Sequence, residues 1–227
     1  MTTQPEFESV LFDLDGTLVD TAPDMVDALV DVQASEGQAP IAYDLARSHV
    51  SHGAVGLVNL AFPTVDAETH ERLRLQFLER YSQAVCVRST IFPALGPLLD
   101  QLDAADIPWG VVTNKPMRMT DPLMTALGID VRATCTISGD TLPQRKPDPA
   151  PLLAACEQTG VEPSRSIYIG DAARDIQAGR AAGMHAVAAA YGYITADDDP
   201  AFWEADALVH STEELAHLVL KGVNLTS

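Results

Sequence analysis

Short apolar segments alternate with segments of helical period along most of the chain. The apolar segments are rich in β-branched residues and predict six strands at residues 9–13, 109–113, 133–138, 166–170, 185–190 and 207–210. Helical patterns follow at residues 97–105, 119–127, 149–159 and 175–182, and glycine follows three of them. Ser211 with Glu214 forms a capping-box pattern that predicts one more helix. The alternation predicts a doubly wound parallel α/β sheet that helices cover on both faces.

Residues 20–87 depart from this alternation. They contain no convincing strand, and their apolar positions have a helical period at residues 23–33, 43–50, 54–62 and 67–85. We therefore predict a small all-helical cap over residues 20–87, inserted after the first strand into a Rossmann-like core of residues 1–19 and 88–227. Hinges between the two parts are expected near residues 19–21 and 87–90.

Composition and charge narrow the classes of partner. The 227 residues carry a formal net charge of −18, which argues against nucleic acid or an anionic membrane as partner. No apolar run approaches the ~20 residues that a membrane helix needs, and residues 1–10 lack the basic and apolar pattern of a secretory signal. Cys86, Cys135 and Cys156 are widely spaced and form no CxxC pair, as expected of reduced thiols. We predict a cytoplasmic protein.

Two carboxylates stand where the first strand ends. Residues 10–20 read VLFDLDGTLVD, so Asp13 and Asp15 point to the same side of an extended segment. The carboxyl ends of parallel strands form one edge of a sheet, where ligands bind. Three further polar segments follow strands at that edge: TNKP (113–116), KPDP (146–149) and GDAARD (170–175). These segments are expected to converge.

A hard divalent cation would offset the repulsion among the acids at this edge. Asp13, Asp15 and Asp171 supply oxygen ligands, and Mg²⁺ takes one to three carboxylates while keeping places for water and a phosphate oxygen. Together with Lys146, such a cation would neutralise a phosphate dianion, and the Thr113 hydroxyl would donate to its oxygens. The residues therefore predict a phosphoryl-transfer site with Mg²⁺ as cofactor and a small phosphorylated metabolite as substrate.

Four short segments, in this order, carry a family resemblance: DLDGTLVD, VVTN, RKPDP and IGDAARDI. They are similar to the four motifs of the haloacid dehalogenase-like hydrolases, and residues 20–87 fall where that family carries its cap. The resemblance implies that Asp13 is a nucleophile that forms an aspartyl-phosphate. It implies that Asp15 is the general acid and base, with its backbone carbonyl beside Asp13 and Asp171 as a metal ligand.

The same resemblance assigns supporting roles. Thr113, Asn114 and Lys146 would hold the phosphoryl group. Asp175, in the segment that begins at Gly170, would complete the outer shell of the metal or orient Lys146. The residues alone leave Lys115, Arg118 and Arg145 open between surface charge and help for an anionic substrate.

Within the family, the second acid indicates phosphoryl transfer, because dehalogenases typically lack it. Phosphonate-cleaving members need a cap lysine, and residues 20–87 contain none. Sugar-phosphate mutases have a similar core, but their first cap helix differs from DTAPDM (20–25). A receiver-like signalling module or a non-catalytic phosphate-binding protein would be more distant alternatives. DTAPD and TNKP look instead like phosphoglycolate phosphatases.

Further segments narrow the resemblance. LQFLERY (75–81), WGVVTNKPMR (109–118), KPDPAPLLAAC (146–156) and YGYI with FWEADALV (191–209) look like the bacterial N-acetylmuramic acid 6-phosphate phosphatases, which act in the recycling of cell-wall sugars. Phosphoglycolate is the alternative substrate. Both substrates carry a carboxylate as well as a phosphate, which calls for a cation at the cap or its rim. The candidates for this specificity role are Arg47, His49, His52 with the adjacent Gly53, and Arg118; in the cap loop, His52 replaces an expected glycine.

Overall fold

The computed structural model describes residues 6–225. In it, helices and strands alternate as the sequence predicts. The strands are β1 Ser9–Phe12, β2 Val19–Asp20, β3 Thr90–Ile91, β4 Trp109–Val112, β5 Cys135–Ile137, β6 Ser166–Gly170, β7 His185–Ala189 and β8 Ala207–Val209. The helices are α1 Ala22–Ser35, α2 Tyr43–Ser48, α3 Gly53–Ala61, α4 Ala67–Gln83, α5 Leu95–Ala104, α6 Met117–Ala126, α7 Ala150–Thr159, α8 Ala173–Ala182 and α9 Thr212–Gly222.

Six parallel strands form the central sheet, in the order β5-β4-β1-β6-β7-β8. Every residue of β1, β4 and β6 is buried, because helices cover both faces of the sheet, and this explains their nearly continuous apolar sequences. β1 lies between β4 and β6, so later strands are added on both sides of it. At such a point the strand order reverses, and a crevice opens at the carboxyl end of β1. The predicted fold class, including its helical insertion, is confirmed.

The predicted helix ends have a local physical basis. Gly160 and Gly183 follow α7 and α8 in the left-handed conformation, which glycine adopts without a Cβ penalty. The Ser211 hydroxyl accepts a hydrogen bond from the backbone N–H of Glu214 at the start of α9. The Glu214 carboxylate accepts from the N–H of His210 instead of Ser211, so only half of the capping box forms.

The helical insertion comprises α1 to α4 and a short 3-10 turn at Val50–His52. Its apolar positions pack together with the core on one side of the sheet, and Leu29, Leu57, Leu73 and Phe77 are fully or almost fully buried. The boundaries at residues 19/20 and 87/88 stay a prediction. Residues 1–5 and 226–227 of the predicted core, and with them half of the segment 1–10, lie outside the described residues.

The two chain crossings between the core and the insertion are held together at their base. β2 pairs with β3 in an antiparallel ladder, with Asp20 opposite Thr90. The buried Asp24 carboxylate accepts hydrogen bonds from the backbone N–H groups of Val87, Arg88 and Ser89 at 2.8–3.1 Å and from the Ser89 hydroxyl at 2.6 Å. The predicted hinge segments are therefore tied to each other.

Two other expectations concern the chain as a whole. Within residues 6–225, no helix is long and apolar enough to span a membrane. The three cysteines are unpaired, and burial raises the pKa of the Cys135 thiol to about 12, so this thiol stays protonated.

Candidate active site

Three buried acids form the floor of the site at the carboxyl edge of the sheet. Asp13 follows β1, Asp171 follows β6, and Asp175 lies in the first turn of α8. One carboxylate oxygen from each lies within 4.8 Å of the others. The side chain of Asp15 does not belong to this group, and Asp175, predicted only to support the site, does.

Each acid of the floor has a different set of partners. Asp13 Oδ1 accepts from the backbone N–H of Leu14 at 2.7 Å. Asp171 Oδ2 accepts from the Ser51 hydroxyl at 2.7 Å and from the Tyr193 N–H at 2.8 Å, whereas its buried Oδ1 has no partner among the described residues. Within the described part of the chain, this carboxylate oxygen is thus buried without a hydrogen-bond donor, which is a costly arrangement.

Burial and mutual repulsion disfavour the ionised acids. Burial raises the pKa of Asp171 to about 7, and the negative charges of Asp13 and Asp175 add to the effect. Burial also raises the pKa of Asp175, although the ammonium of Lys146 opposes that shift. An additional cation would therefore stabilise the floor.

The floor has the donor set of a divalent metal site. Its potential ligands are carboxylate oxygens from three positions, and the unpartnered Asp171 Oδ1 is available to a metal ion. Hard cations such as Mg²⁺ and Ca²⁺ prefer oxygen ligands of this kind. The residues present fit a divalent cation.

Two glycines leave room for these acids. Gly16 has φ +79°, and a Cβ on it would lie 2.1 Å from Asp171 Oδ2. Gly170 is the last residue of β6, and a Cβ there would lie 2.3 Å from the Cβ of Asp175. This close approach gives Gly170, which the sequence indicated as a supporting residue, a steric role.

Lys146 closes the floor from one side. Its Nζ lies 3.0 Å from Asp13 Oδ1, 2.7 Å from Asp175 Oδ1, 2.9 Å from the Val112 carbonyl and 2.7 Å from the Tyr168 hydroxyl. An ammonium carries three protons, so these four acceptors already engage all of them. Lys146 joins the loops after β1 and β5 to the start of α8.

Thr113 and Asn114 follow β4 and bind neighbouring loops. Asn114 Nδ2 donates to the Lys146 carbonyl at 3.0 Å, and the Lys146 N–H donates to Asn114 Oδ1 at 3.1 Å. The Thr113 hydroxyl accepts from the Lys115 N–H at 3.1 Å, which leaves its own proton free for a ligand. Asn114 thus fixes the backbone of Lys146.

Asp15 forms a second, separate cluster. Lys115 Nζ lies 2.9 Å from Asp15 Oδ1 and donates to the Tyr81 hydroxyl at 2.8 Å, and the Thr21 hydroxyl donates to Asp15 at 2.6 Å. Tyr81 lies on α4 of the insertion, where burial raises its pKa to about 12. The sequence left Lys115 open, and the structure places it as a buried cation that joins Asp15 to the insertion.

A cavity of about 430 Å³ lies between the core and the insertion. Asp13, Asp15, Thr113 and Asn114 line it on the core side, and His52 and Gly53 line it on the opposite side. The remaining lining includes apolar and cationic residues: Met25, Val50, Val55, Phe77, Leu78, Met119, Arg74, Lys115, Arg145 and Arg174. Of the three floor acids, Asp13 lines the cavity.

Arg47 and Arg118 lie outside this lining. The Arg47 guanidinium stacks 4.8 Å from the centre of the Tyr193 ring. Arg118 is exposed and lines a separate open groove along α4. His49 contacts His52 edge to face, with ring centroids 5.6 Å apart. Of the predicted specificity residues, the structure brings His52 and Gly53 to the cavity.

Several residues of the site escaped the sequence analysis. Ser51, Tyr81, Tyr168 and Tyr193 bind the acids or lysines from segments far away along the chain. Arg174 stands inside the fourth motif, GDAARDI, next to the residues to which the motif pointed. Its position in that motif was the available signal.

Comparison with known proteins also indicates a hydrolase. A family model, described as haloacid dehalogenase-like hydrolase, matches residues 7–183. The chain is 43% identical over 209 residues to an N-acetylmuramic acid 6-phosphate phosphatase of Pseudomonas aeruginosa, covering 92% of each chain. It is 42% identical over 208 residues to a phosphoglycolate phosphatase of Xylella fastidiosa, covering 92% of this chain and 91% of the relative.

Solved structures share the fold. A crystal structure of a predicted phosphoglycolate phosphatase from Haemophilus somnus 129pt superposes with a TM-score of 0.83 at 27% identity, covering 96% of this chain and 99% of the other.

Proposed function

The chain belongs to the haloacid dehalogenase-like hydrolase family and is a phosphatase, and from this premise we propose that it hydrolyses N-acetylmuramic acid 6-phosphate. The observation that carries the choice is the cavity. Its volume of about 430 Å³ suits a phosphorylated amino sugar, whereas a phosphorylated two-carbon acid would leave most of it to water. The apolar side chains of Val50, Val55 and Phe77 offer contact to acetyl and lactyl methyl groups.

Phosphoglycolate is the second candidate, because relatives with more than 40% identity carry either name. Both substrates combine a phosphate with a carboxylate, so both need a cation beyond the floor. His52 of the insertion and the exposed Arg145, which precedes Lys146 in the core, line the cavity and are suited to bind such a carboxylate. The smaller acid would have to bridge the floor and one of these cations within its own length.

The cofactor is proposed to be Mg²⁺, held by Asp13 and Asp171 with Asp175 close by. When bound, such a cation supplies positive charge to the oxygens of the phosphoryl group. The backbone carbonyl of Asp15 as a further ligand remains part of this proposal.

The proposed reaction proceeds in two displacements. Asp13 attacks phosphorus, the P–O ester bond breaks, and Asp15 donates its proton to the departing sugar oxygen. Water then attacks the aspartyl-phosphate and gives its proton to Asp15, and the bond between phosphorus and Asp13 breaks. Inorganic phosphate leaves, Asp13 is again a free carboxylate, and Asp15 again carries its proton.

The neighbouring side chains are suited to these steps. Lys115 and Thr21 donate to the ionised form of Asp15, which stabilises it as the base of the second displacement. Thr113 has a free hydroxyl proton for a phosphoryl oxygen. Lys146 pairs with both Asp13 and Asp175, and Asn114 fixes the Lys146 backbone.

The cellular setting follows from the substrate. We propose a cytoplasmic enzyme of cell-wall sugar recycling whose cap, residues 20–87, covers a core of residues 1–19 and 88–227. A cap that closes over the site would keep water from the aspartyl-phosphate until the sugar has left.

A panel of phosphorylated metabolites, assayed by phosphate release with Mg²⁺ and with chelator, tests the proposal. We expect kcat/KM for N-acetylmuramic acid 6-phosphate to exceed that for phosphoglycolate and for an aryl phosphate, and chelator to abolish all three activities. Preference for phosphoglycolate would favour the second candidate. Activity that survives chelation would contradict the metal-dependent mechanism.

A further inference from the structure

The charges of the site leave the negative charge of an incoming phosphate uncompensated. Four carboxylates lie at or beside the floor, and Lys115 and Lys146 are the two lysines that pair with them. A divalent cation would bring this group to neutrality. A phosphomonoester dianion that then enters the site adds negative charge to a neutral group in a poorly solvated place.

Both lysines are already engaged by protein acceptors. All three protons of the Lys146 ammonium are engaged by protein acceptors. Lys115 binds both oxygens of Asp15 and the Tyr81 hydroxyl. Among the cationic residues of the cavity, Arg74 forms a two-point ion pair with Glu71.

Arg174 differs from these three cations, and it differs from Arg145, which forms no ion pair within the described residues either but is exposed. In residues 6–225 its guanidinium forms no ion pair, and its Nε is buried without a hydrogen-bond partner although Arg174 lines the cavity. The chain positions it beside the floor, since it directly precedes Asp175 and follows Asp171 by one short loop. A buried, unsatisfied N–H of a charged group is costly unless a ligand completes it.

The helix dipole does not explain why a cation stands at position 174. It is the second residue of α8, at the end where the helix dipole is positive and disfavours positive charge. Arg180, on the same helix, lies near the opposite end and pairs with Glu204 on the surface. The contrast indicates that Arg174 is held at its site by negative charge around it.

We propose that Arg174 is a binding residue for the phosphoryl group, whose guanidinium donates to phosphoryl oxygens once substrate or phosphate enters. The proposal rests on the proposed phosphatase site and adds to it a cation that offsets part of the negative charge of the dianion. Arginine suits this role because its planar fork donates to two oxygens of one phosphate. Its charge also stabilises the transition state, where the transferring group is shared between two oxygens.

A purely structural role for Arg174 makes a different prediction. If the side chain serves only as a counterion for Asp13, Asp171 and Asp175, its loss would destabilise the ligand-free protein and leave phosphate affinity unchanged. Phosphate binding therefore separates the two roles, and it does so without reference to any organic substrate.

The experiment compares Arg174→Gln, Arg174→Lys and the control Arg180→Gln with the unmodified protein in saturating Mg²⁺. Inorganic phosphate affinity is measured by calorimetry and by the phosphate-induced rise in Tm. We expect Arg174→Gln to weaken phosphate binding at least ~10-fold, Arg174→Lys to retain part of the affinity, and Arg180→Gln to match the unmodified protein.

Turnover provides the second measurement. We expect Arg174→Gln to lower kcat/KM by a similar factor, about 10²-fold or more, for an aryl phosphate and for N-acetylmuramic acid 6-phosphate. Unchanged phosphate affinity would overturn the proposal, and so would a loss confined to the carboxylated substrate. If Arg174→Gln does not fold, Arg174→Lys provides the test. A phosphate affinity of Arg174→Lys equal to that of the unmodified protein would then overturn the proposal. Failure of the proposed substrate would leave the phosphate measurement intact.

Discussion

The two walls of the cavity are built in different ways. The core wall consists of buried acids and lysines on the ends of rigid parallel strands, and each is bound by partners from other core segments. The insertion wall reaches the site through few polar contacts, chiefly Ser51 with Asp171 and Tyr81 with Lys115. His52, the candidate specificity residue on that wall, is exposed.

This difference separates chemistry from selection. Groups that must be placed accurately for bond breaking lie on the sheet edge, where packing fixes their geometry. Groups that contact the variable part of a substrate lie on a wall that can change in sequence without disturbing the floor. Substitutions on the core wall should thus affect all substrates alike, and substitutions on the insertion wall should distinguish among them.

The largest effect is expected for Asp13→Asn, because the amide cannot act as the nucleophile. We expect kcat to fall at least ~10⁴-fold for every phosphate ester, with a far-ultraviolet spectrum like that of the unmodified protein. Asp31→Asn, at an exposed position on α1, is the control and should keep full activity. Appreciable turnover by Asp13→Asn would contradict the nucleophilic role.

Asp171→Asn should weaken Mg²⁺ binding at least ~100-fold, beyond the ~10–100-fold loss that outer contacts to a metal cause. The same change should raise the Tm of the metal-free protein, since an amide removes the buried charge and can donate toward Asp13 where Oδ1 has no partner. Calorimetric titration and thermal unfolding with and without Mg²⁺ measure the two effects. A lower metal-free Tm would show that the charge is compensated by other means.

The stability of the metal-free protein should also depend on pH through Asp171. Its pKa is about 7 in the folded chain and near 3.8 when exposed, so the folded state retains a proton that the unfolded state has lost. Stability should therefore fall as pH rises from about 4 to about 7. Thermal unfolding over this range should show a smaller decrease for Asp171→Asn, and an identical decrease in both proteins would contradict the assignment.

An intermediate effect is expected for Lys115→Met, which keeps the length of the side chain but leaves Asp15 with Thr21 as its remaining partner of this cluster. We expect kcat to fall about 10–100-fold for all substrates, because Asp15 loses a charged hydrogen bond that fixes its position. Tyr81→Phe keeps the ring beside Lys115 and should cost only a few-fold. A loss confined to carboxylated substrates would instead make Lys115 a substrate ligand.

The smallest effect belongs to the insertion wall. The side chain of His52 is exposed but partly covered by its neighbours, and this partial burial lowers its pKa; the nearby charges of His49 and Arg174 lower it further, and Asp197 and Asp198 act in the opposite direction. His52 is therefore neutral at neutral pH and gains its charge only in more acidic solution. KM for a carboxylated substrate should fall as pH is lowered from about 7.5 to about 5.5.

His52→Asn should remove this pH dependence and raise KM about 3–10-fold at the lower pH, while an aryl phosphate shows no change. Arg118→Ala should raise KM less, since Arg118 lies outside the cavity. Equal changes for both types of substrate would place His52 outside substrate selection.

The sequence predicted the core wall better than the insertion wall. Asp13, Lys146 and Asp171 each follow an apolar strand, and parallel strands must end at one edge, so their convergence followed from topology. The burial of Lys115 could not be predicted, because it depends on Tyr81, which lies 34 positions earlier in the chain, in the insertion. Which side chain closes over a loop depends on how the insertion docks, and periodicity carries no information about docking.

Short elements were also beyond the sequence. β2 and β3 are two residues long, so no alternation could identify them. Their pairing joins positions more than 60 residues apart. The same is true of the hydrogen bonds that Asp24 accepts from four donors. The predicted hinge segments were placed where this ladder forms, but their connection to each other was not foreseen.

That connection places the two ends of the insertion side by side. Asp20 and Thr90 lie opposite each other in an antiparallel ladder, where facing Cα atoms are only about 4.5–5.5 Å apart. A turn of a few residues could join them directly, so a shortened chain could close its sheet without residues 21–89. Replacement of the insertion by that of a relative would need no change in the strands of the central sheet. A lineage could therefore acquire new substrates by replacing one continuous stretch of its gene.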